Sequence, residues 1–361
     1  MEYIFYLVVI VILTLTLPFA SKNVVYGAKG IRPYTPLGGL SNNQKRAAQM
    51  LLGIITLILI AVCVWRSEDM CDYAMYLRMY SMGGGENMNR ELEPTFKLIV
   101  SVSPVFLIFL AIYAILSVSS HVYSIMRNSP NIWLTFLLYL TMYFVLHDMV
   151  QIRAAVAIGL LLIAVRYIVE RKWITYYILV IIASFFHYSA AVFLFLYFIP
   201  HKHLNKWVWS GMLILFLAFG LLNMQFAYFA RLIPLQFVQN YLEAYLGNRD
   251  YTASAIGPVR VIKVICAIIM VFGLPRIKRI YPFAVPVLCF YIISQMCYLL
   301  FGDIPVLQGR MGELFGSFEI FALAMFPLLS KKHYYLLCIV PVALALYNFQ
   351  TGIFLLREIA R

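Results

Sequence analysis

The stretch 47–65, Ala-Ala-Gln-Met-Leu-Leu-Gly-Ile-Ile-Thr-Leu-Ile-Leu-Ile-Ala-Val-Cys-Val-Trp, decides the fold. It carries no charge between Lys45-Arg46 on one side and Arg66 on the other. A helix of ~20 apolar residues reaches across a hydrocarbon core of about 30 Å, so this run reads as a bilayer span. Similar runs follow at roughly 103–125, 131–146, 152–169, 174–199, 206–223, 261–274, 281–301, 314–329 and 334–350. Tyr3–Ala20 precedes them; with Glu2 in place of a basic n-region it reads as a retained span rather than a signal peptide.

Composition agrees. Of 361 residues, 63% are apolar and 12% charged, and mean hydropathy is +0.87. Soluble domains average roughly 45–50% apolar and about 25% charged residues. A soluble enzyme, a disordered chain and a nucleic-acid-binding module are therefore excluded, despite a net charge of +13. The expected architecture is all-α: a polytopic integral membrane protein of about 11–12 transmembrane helices at ~20 residues each. It forms one membrane domain over 1–361, with outer-face loops at 66–95 and 224–257 that hold short amphipathic helices. The six cysteines form no CxxC pair and read as small apolar packing residues.

Basic residues set the topology. Lys22, Lys29, Arg32, Lys45 and Arg46 occupy a loop without acids, which places that loop inside. The 66–95 loop reverses the balance, with Arg66, Arg78 and Arg90 against Glu68, Asp69, Asp72, Glu86, Glu91 and Glu93. Arg127, Arg171-Lys172, Arg276, Lys278, Arg279 and Lys331-Lys332 are further inner anchors. They agree with one another only if 174–199 crosses an even number of times, because His201-Lys202-His203 and Lys206 are also inner. The run is too short for two spans, so a broken or re-entrant pair of half-helices hinged near His187 is expected. Irregular backbone at membrane depth requires a protein-enclosed or watery cavity.

This topology gathers the unusual polar residues on the outer face: Arg66, Asp69, Asp72, Glu91, Glu93, Asp148, Gln151, Arg153, His187, Arg249, Arg260, Arg310 and Glu313. Asp148-Met149-Val150-Gln151 matches a capping box before an apolar run. Arg153 then falls in the first helical turns, where the macrodipole disfavours a cation and insertion of an Arg costs about 2.5–3.5 kcal/mol. A docked anion reverses both penalties; snorkelling to outer headgroups is the structural alternative. Arg310 precedes the 314–329 run, and Arg260 and Lys263 share a helical face. Tyr73 and Tyr76 suit sugar stacking or an interfacial belt. Asp69 and Asp72 alone are thin grounds for a divalent cation, so no metal or cofactor is expected. Glu319 is an intramembrane carboxylate, functional or bonded to a neighbouring helix.

In order along the chain, Arg66…Asp72-Tyr73…Tyr76, Glu93-Pro94-Thr95-Phe96, Gln151-Ile152-Arg153, Phe186-His187-Tyr188-Ser189-Ala190 and Arg310 resemble the EpsG-like branch of the Wzy-type bacterial polysaccharide polymerases. The likeness spans about residues 60–330. It implies a multi-pass protein of the bacterial inner membrane that polymerises undecaprenyl-pyrophosphate-linked oligosaccharide at the periplasmic face. The product would be an O-antigen, capsule or exopolysaccharide, and no nucleotide is needed because the energy resides in the lipid diphosphate. On that reading Arg153, Arg310, Arg66 and Arg260 hold the pyrophosphate, and His187, Asp72 and Asp148 compete as general base. Tyr73, Tyr76, Glu93 and Gln151 contact glycan, and a chain-length regulator is a possible partner. A flippase for the same lipid-linked glycan, or an outer-face ligase or acyltransferase, are the competing classes. A transporter would place polar residues near the midplane and show a repeat.

Overall fold

The computed structural model describes residues 36–37, 40–83, 92–222, 224, 226 and 256–359. The Tyr3–Ala20 run, Lys22, Lys29, Arg32, Glu91, Arg249 and most of the 224–257 loop lie outside the described residues. What is described is helical, with no strand. In chain order the helices are α1 (Asn42–Val64), α2 (Tyr73–Ser81), α3 (Pro94–Val102), α4 (Phe106–Asn128) and α5 (Ile132–Met142). A π-helical segment (Phe144–Val150) leads into α6 (Ile152–Val169), followed by α7 (Trp173–Phe186) and a 3₁₀ segment (Tyr188–Phe198). Then come α8 (Lys206–Leu221), α9 (Pro258–Ile277), α10 (Ala284–Leu300), α11 (Pro305–Gly316) and α12 (Glu319–Met325). A short 3₁₀ turn (Phe326–Leu329) and α13 (Tyr334–Ile359) complete the order.

Among the described residues, four helices (α1, α4, α6 and α9) are long and apolar enough to cross a bilayer alone. Two bent pairs raise this to six: α5 with the π segment, bent by 62°, and Leu307–Gly316 with Glu319–Leu329, bent by 48°. The apolar runs thus yield multi-pass helical architecture, with several of them divided into shorter apolar helices such as α7, α8 and α10. α6 occupies the centre, 67% buried within its apolar window, whereas α1 is 28% buried and presents Met50, Ile54 and Leu57 outward. Gly159 lets α6 approach α4: a Cβ there would stand 2.0 Å from Ser120 Oγ and 2.8 Å from Ser120 Cβ.

The break near His187 is real. His187 adopts an extended conformation (φ −154°, ψ 113°) between α7 and the 3₁₀ segment. The two halves run back along each other, for Tyr176 Oη donates to the Phe193 carbonyl at 2.7 Å. The Tyr197 ring lies 5.2 Å from that of Tyr176 and 5.6 Å from that of Tyr177. The hairpin therefore begins and ends at one face of the bundle, where the Arg171 guanidinium sits 4.7 Å from the Tyr197 ring centroid. Other cations collect at the same end: Arg166, paired with Glu170, donates to Arg127 O at 3.3 Å, and Lys278 Nζ is 3.4 Å from His203 Nδ1.

One local expectation is corrected. Asp148 does not cap α6; Gln151 is the N-cap and makes no side-chain capping bond. The i→i+5 winding of 144–150 turns Asp148 into the bundle instead. A capping box does occur at Ser41, which accepts from Gln44 N while the Gln44 side chain accepts from Ser41 N.

Candidate functional site

At the end of the bundle opposite the clustered cations, three elements converge on Glu93. Pro94 opens α3, its fixed φ suiting the first helical position, and Glu93 is the extended N-cap before it. Arg153, in the first turn of α6, donates to Glu93 Oε2 and forms a close ion pair with it. His187, at the tip of the hairpin, places Nδ1 3.4 Å from Glu93 Oε1. Two bonds fix the tip: Thr95 Oγ1 donates to Phe185 O, and Tyr188 Oη donates to Leu92 O at 3.3 Å. The Glu93-Pro94-Thr95 and Phe186-His187-Tyr188 motifs are thus brought together by bonds on both flanks of each.

The ion pair is shielded, with side-chain exposures of 12% for Arg153 and 6% for Glu93, while His187 keeps 26%. The guanidinium lies 5.7 Å from the Tyr76 ring centroid and 5.6 Å from that of Phe96, within cation–π range. Burial pushes the Glu93 carboxyl upward, but the His187 bond and the Arg153 charge outweigh it and hold the group below its ordinary value. Glu93 is therefore a carboxylate at neutral pH. The result is an offset charge pair with a partly accessible imidazole on its open side.

The Arg66…Tyr76 block flanks this centre. Arg66 is buried and donates to Met149 O, at the end of the π segment. Asp72 adopts a left-handed conformation (φ 65°) immediately before α2, a conformation Asp tolerates better than most residues. Burial raises its carboxyl pKa, opposed by the charges of Arg153 and Arg66. Tyr76 is buried against Phe96, ring centroids 6.4 Å apart, whereas Tyr73 is half-buried, edge-on to Phe106 at 5.4 Å.

Asp148 faces away, into the bundle. Its Oδ2 accepts from Tyr139 Oη at 2.9 Å and its Oδ1 is 3.4 Å from His121 Nδ1, all three groups being buried. Gln151 bridges to the second half of the molecule, donating from Nε2 to Glu313 Oε2 at 3.1 Å. On that side Arg260 donates to Gln295 Oε1 at 3.0 Å. Lys263 is paired with Glu319 at 2.9 Å, and Glu319 also accepts from Tyr143 Oη at 3.2 Å. Arg310 is exposed on α11.

The structure thus brings Glu93, Arg153, His187, Asp72, Arg66 and Tyr76 into one neighbourhood, sets Arg260 in another joined to it through Gln151 and Glu313, and turns the Asp148 side chain away from both into the bundle. One feature had no signal in the sequence: His121 becomes a partner of Asp148 only through the crossing of α4 and the π segment. Glu319, singled out as an intramembrane carboxylate, is bonded to a neighbouring helix, its partner being Lys263 on α9.

A family model described as the EpsG family matches residues 49–354. No curated protein and no solved structure matches the chain.

Proposed function

Since this chain belongs to the EpsG family of Wzy-type polysaccharide polymerases, we propose that it joins undecaprenyl-pyrophosphate-linked oligosaccharide units at the periplasmic face of the bacterial inner membrane. The observation that carries this reading is the meeting of Glu93, Arg153 and His187 at the end of the bundle away from the basic loops. By the positive-inside rule that end is extracytoplasmic, where flipped lipid-linked glycans reside.

In the proposed reaction an acceptor sugar hydroxyl attacks the donor's anomeric carbon. The new C–O bond forms as the bond from that carbon to the diphosphate oxygen breaks, and the diphosphate leaves with the electron pair. His187 receives the hydroxyl proton. With Nδ1 facing the Glu93 carboxylate, the other ring nitrogen is left for the acceptor. Asp72 is the alternative acceptor of this proton at the same mouth. Arg66, Arg153, Arg260 and Arg310 supply positive charge at this end, where negative charge grows on the leaving group. Tyr73 and Gln151, both partly exposed, contact glycan, with the buried Tyr76 and Glu93 behind them holding Arg153. A chain-length regulator is a partner this reading accommodates.

The test is reconstitution of the purified full-length chain in vesicles with lipid-linked repeat units and no other protein. A ladder of longer lipid-linked glycans is expected. Movement of glycan across the bilayer without new glycosidic bonds would make the protein a flippase, and transfer to a non-glycan acceptor would make it a ligase or acyltransferase.

A further inference from the structure

At the cation-rich end of the bundle α8 packs against α9, and the chain entering α8 meets the end of α9 at two points. Lys206 Nζ lies 5.3 Å from the Trp207 ring centroid and 5.5 Å from that of Phe272 on α9, and those two rings meet edge to face at 5.6 Å. Just upstream, His203 Nδ1 is 3.4 Å from Lys278 Nζ. We propose that this foot of α8 and α9 binds an anionic phospholipid of the leaflet at that end, its phosphate held by Lys206 and Arg276. Such a site is independent of the polymerase reading.

Cations here lack counter-charges. Among the described residues, none of Lys202, Lys206, Arg276, Lys278 and Arg279 pairs with a carboxylate. Elsewhere at the same end the chain does supply one: Glu170 accepts from Arg166 and lies 3.0 Å from Lys172. The dipole at the end of α9 favours a cation in its last turn, and inward topology requires only that basic residues lie on that side. Neither gathers them against two exposed aromatic rings across a helix pair. An anionic phosphodiester accounts for both the missing counter-charge and the grouping.

The adjoining surface supplies the apolar half of the site. Ile265, Ile269 and Phe272 are exposed on α9, and steps of three and four residues put them on one stripe that runs into the exposed Arg276. From Ile265 to Arg276 the stripe rises about 16 Å at 1.5 Å per residue, the depth of one leaflet in a core of ~30 Å. On α8, Trp207 is 69% exposed, followed by exposed Val208 and Met212. Asn205 fixes this entry, its Oδ1 accepting from Trp207 N at 3.1 Å and from Val208 N at 3.3 Å. An apolar stripe that ends in unpaired cations, with an indole at the boundary, matches an amphiphile with an anionic head. A free phosphate would meet the cations and leave the stripe unused.

The experiment reconstitutes the purified full-length chain in vesicles of phosphatidylcholine and phosphatidylglycerol, with brominated acyl chains on one lipid at a time. Quenching at Trp207 is read as the difference between the wild type and Trp207→Phe. Brominated phosphatidylglycerol is expected to occupy this position about fivefold or more in preference to brominated phosphatidylcholine, the effect of a basic side chain on an anionic lipid. Lys206→Gln with Arg276→Gln should bring the two lipids within about twofold of each other. Lys45→Gln with Arg46→Gln removes the same charge from the start of α1 and should keep the wild-type preference. Arg276→Gln alone, at an exposed position, covers the case in which the double variant unfolds, and should lower the preference by about threefold. Equal quenching by the two lipids in the wild type overturns the proposal and leaves the patch to an acidic segment of a soluble protein. An unchanged preference in Arg276→Gln also overturns it. So does an equal loss in the α1 variant, because the attraction would then be a diffuse field rather than a site. Polymer formation enters none of these readings, so the site and the polymerase reading stand or fall separately.

Discussion

His187 Nδ1 stands 3.4 Å from Glu93 Oε1, and the hairpin tip that carries the imidazole is bonded to the chain on both sides of that carboxylate. The ring is held by its position in a re-entrant loop rather than by a span of its own. Glu93 is shared between an imidazole and a guanidinium, so its removal disturbs both.

Glu93→Gln leaves Arg153 buried without a counter-charge. Breaking one member of a buried pair costs about 3–5 kcal/mol. A marked fall in unfolding temperature and loss of polymer are expected; unchanged thermal stability would show that the pair is not buried as described.

The acid limb of the stability curve follows from the same carboxylate. Its folded-state pKa lies below the ordinary value of 4.5. The pair's contribution is therefore complete above the unfolded-state value and lost as pH falls through the lower, folded-state value. Unfolding temperature should be flat down to about pH 5 and then drop in the wild type, and Glu93→Gln should show a shallower acid drop. Identical acid limbs would refute the assignment.

Asp148 gives a different signature. Because it faces Tyr139 and His121 in the bundle, Tyr139→Phe should cost about 1–3 kcal/mol in stability, the penalty for a buried group left without its bond. The pH dependence of polymer formation in this variant should match the wild type. An altered pH profile at full stability would make Asp148 part of the chemistry.

The hairpin predicts sidedness. In a Cys71→Ser background, Lys172→Cys and His203→Cys should both be labelled by an impermeant maleimide only after the membrane is opened, whereas Ser67→Cys should react in intact spheroplasts. Labelling of Lys172→Cys and His203→Cys from opposite sides would turn the hairpin into an ordinary crossing.

Gly159→Ala pushes a methyl group into Ser120. Overpacking of this kind costs about 1–3 kcal/mol, and a second change, Ser120→Gly, should restore the unfolding temperature. Failure of that rescue would place the strain elsewhere.

Much of this was legible in the sequence. Uncharged apolar runs mark the helices, and the basic residues on both flanks of 174–199 require the reversal at His187. Periodicity could not show which polar groups would meet. Glu93 and His187 approach only because the chain at 92–95 and the hairpin tip exchange two bonds. Asp148 was misread as a cap because a capping box is a pattern of an α-helix start. A π segment, which shifts the angular position of each side chain, leaves that pattern in the sequence and removes its geometry.

The short hairpin has a consequence for the surrounding lipid. α7 has 14 residues and at 1.5 Å per residue reaches about 21 Å, short of a hydrocarbon core of ~30 Å. Ile174, Ile178, Ile181 and Phe185 are nevertheless exposed along it. Acyl chains beside this helix must shorten or tilt to meet it, thinning the bilayer locally. That dimple draws the headgroup plane down toward the hairpin tip, where His187 and Glu93 meet.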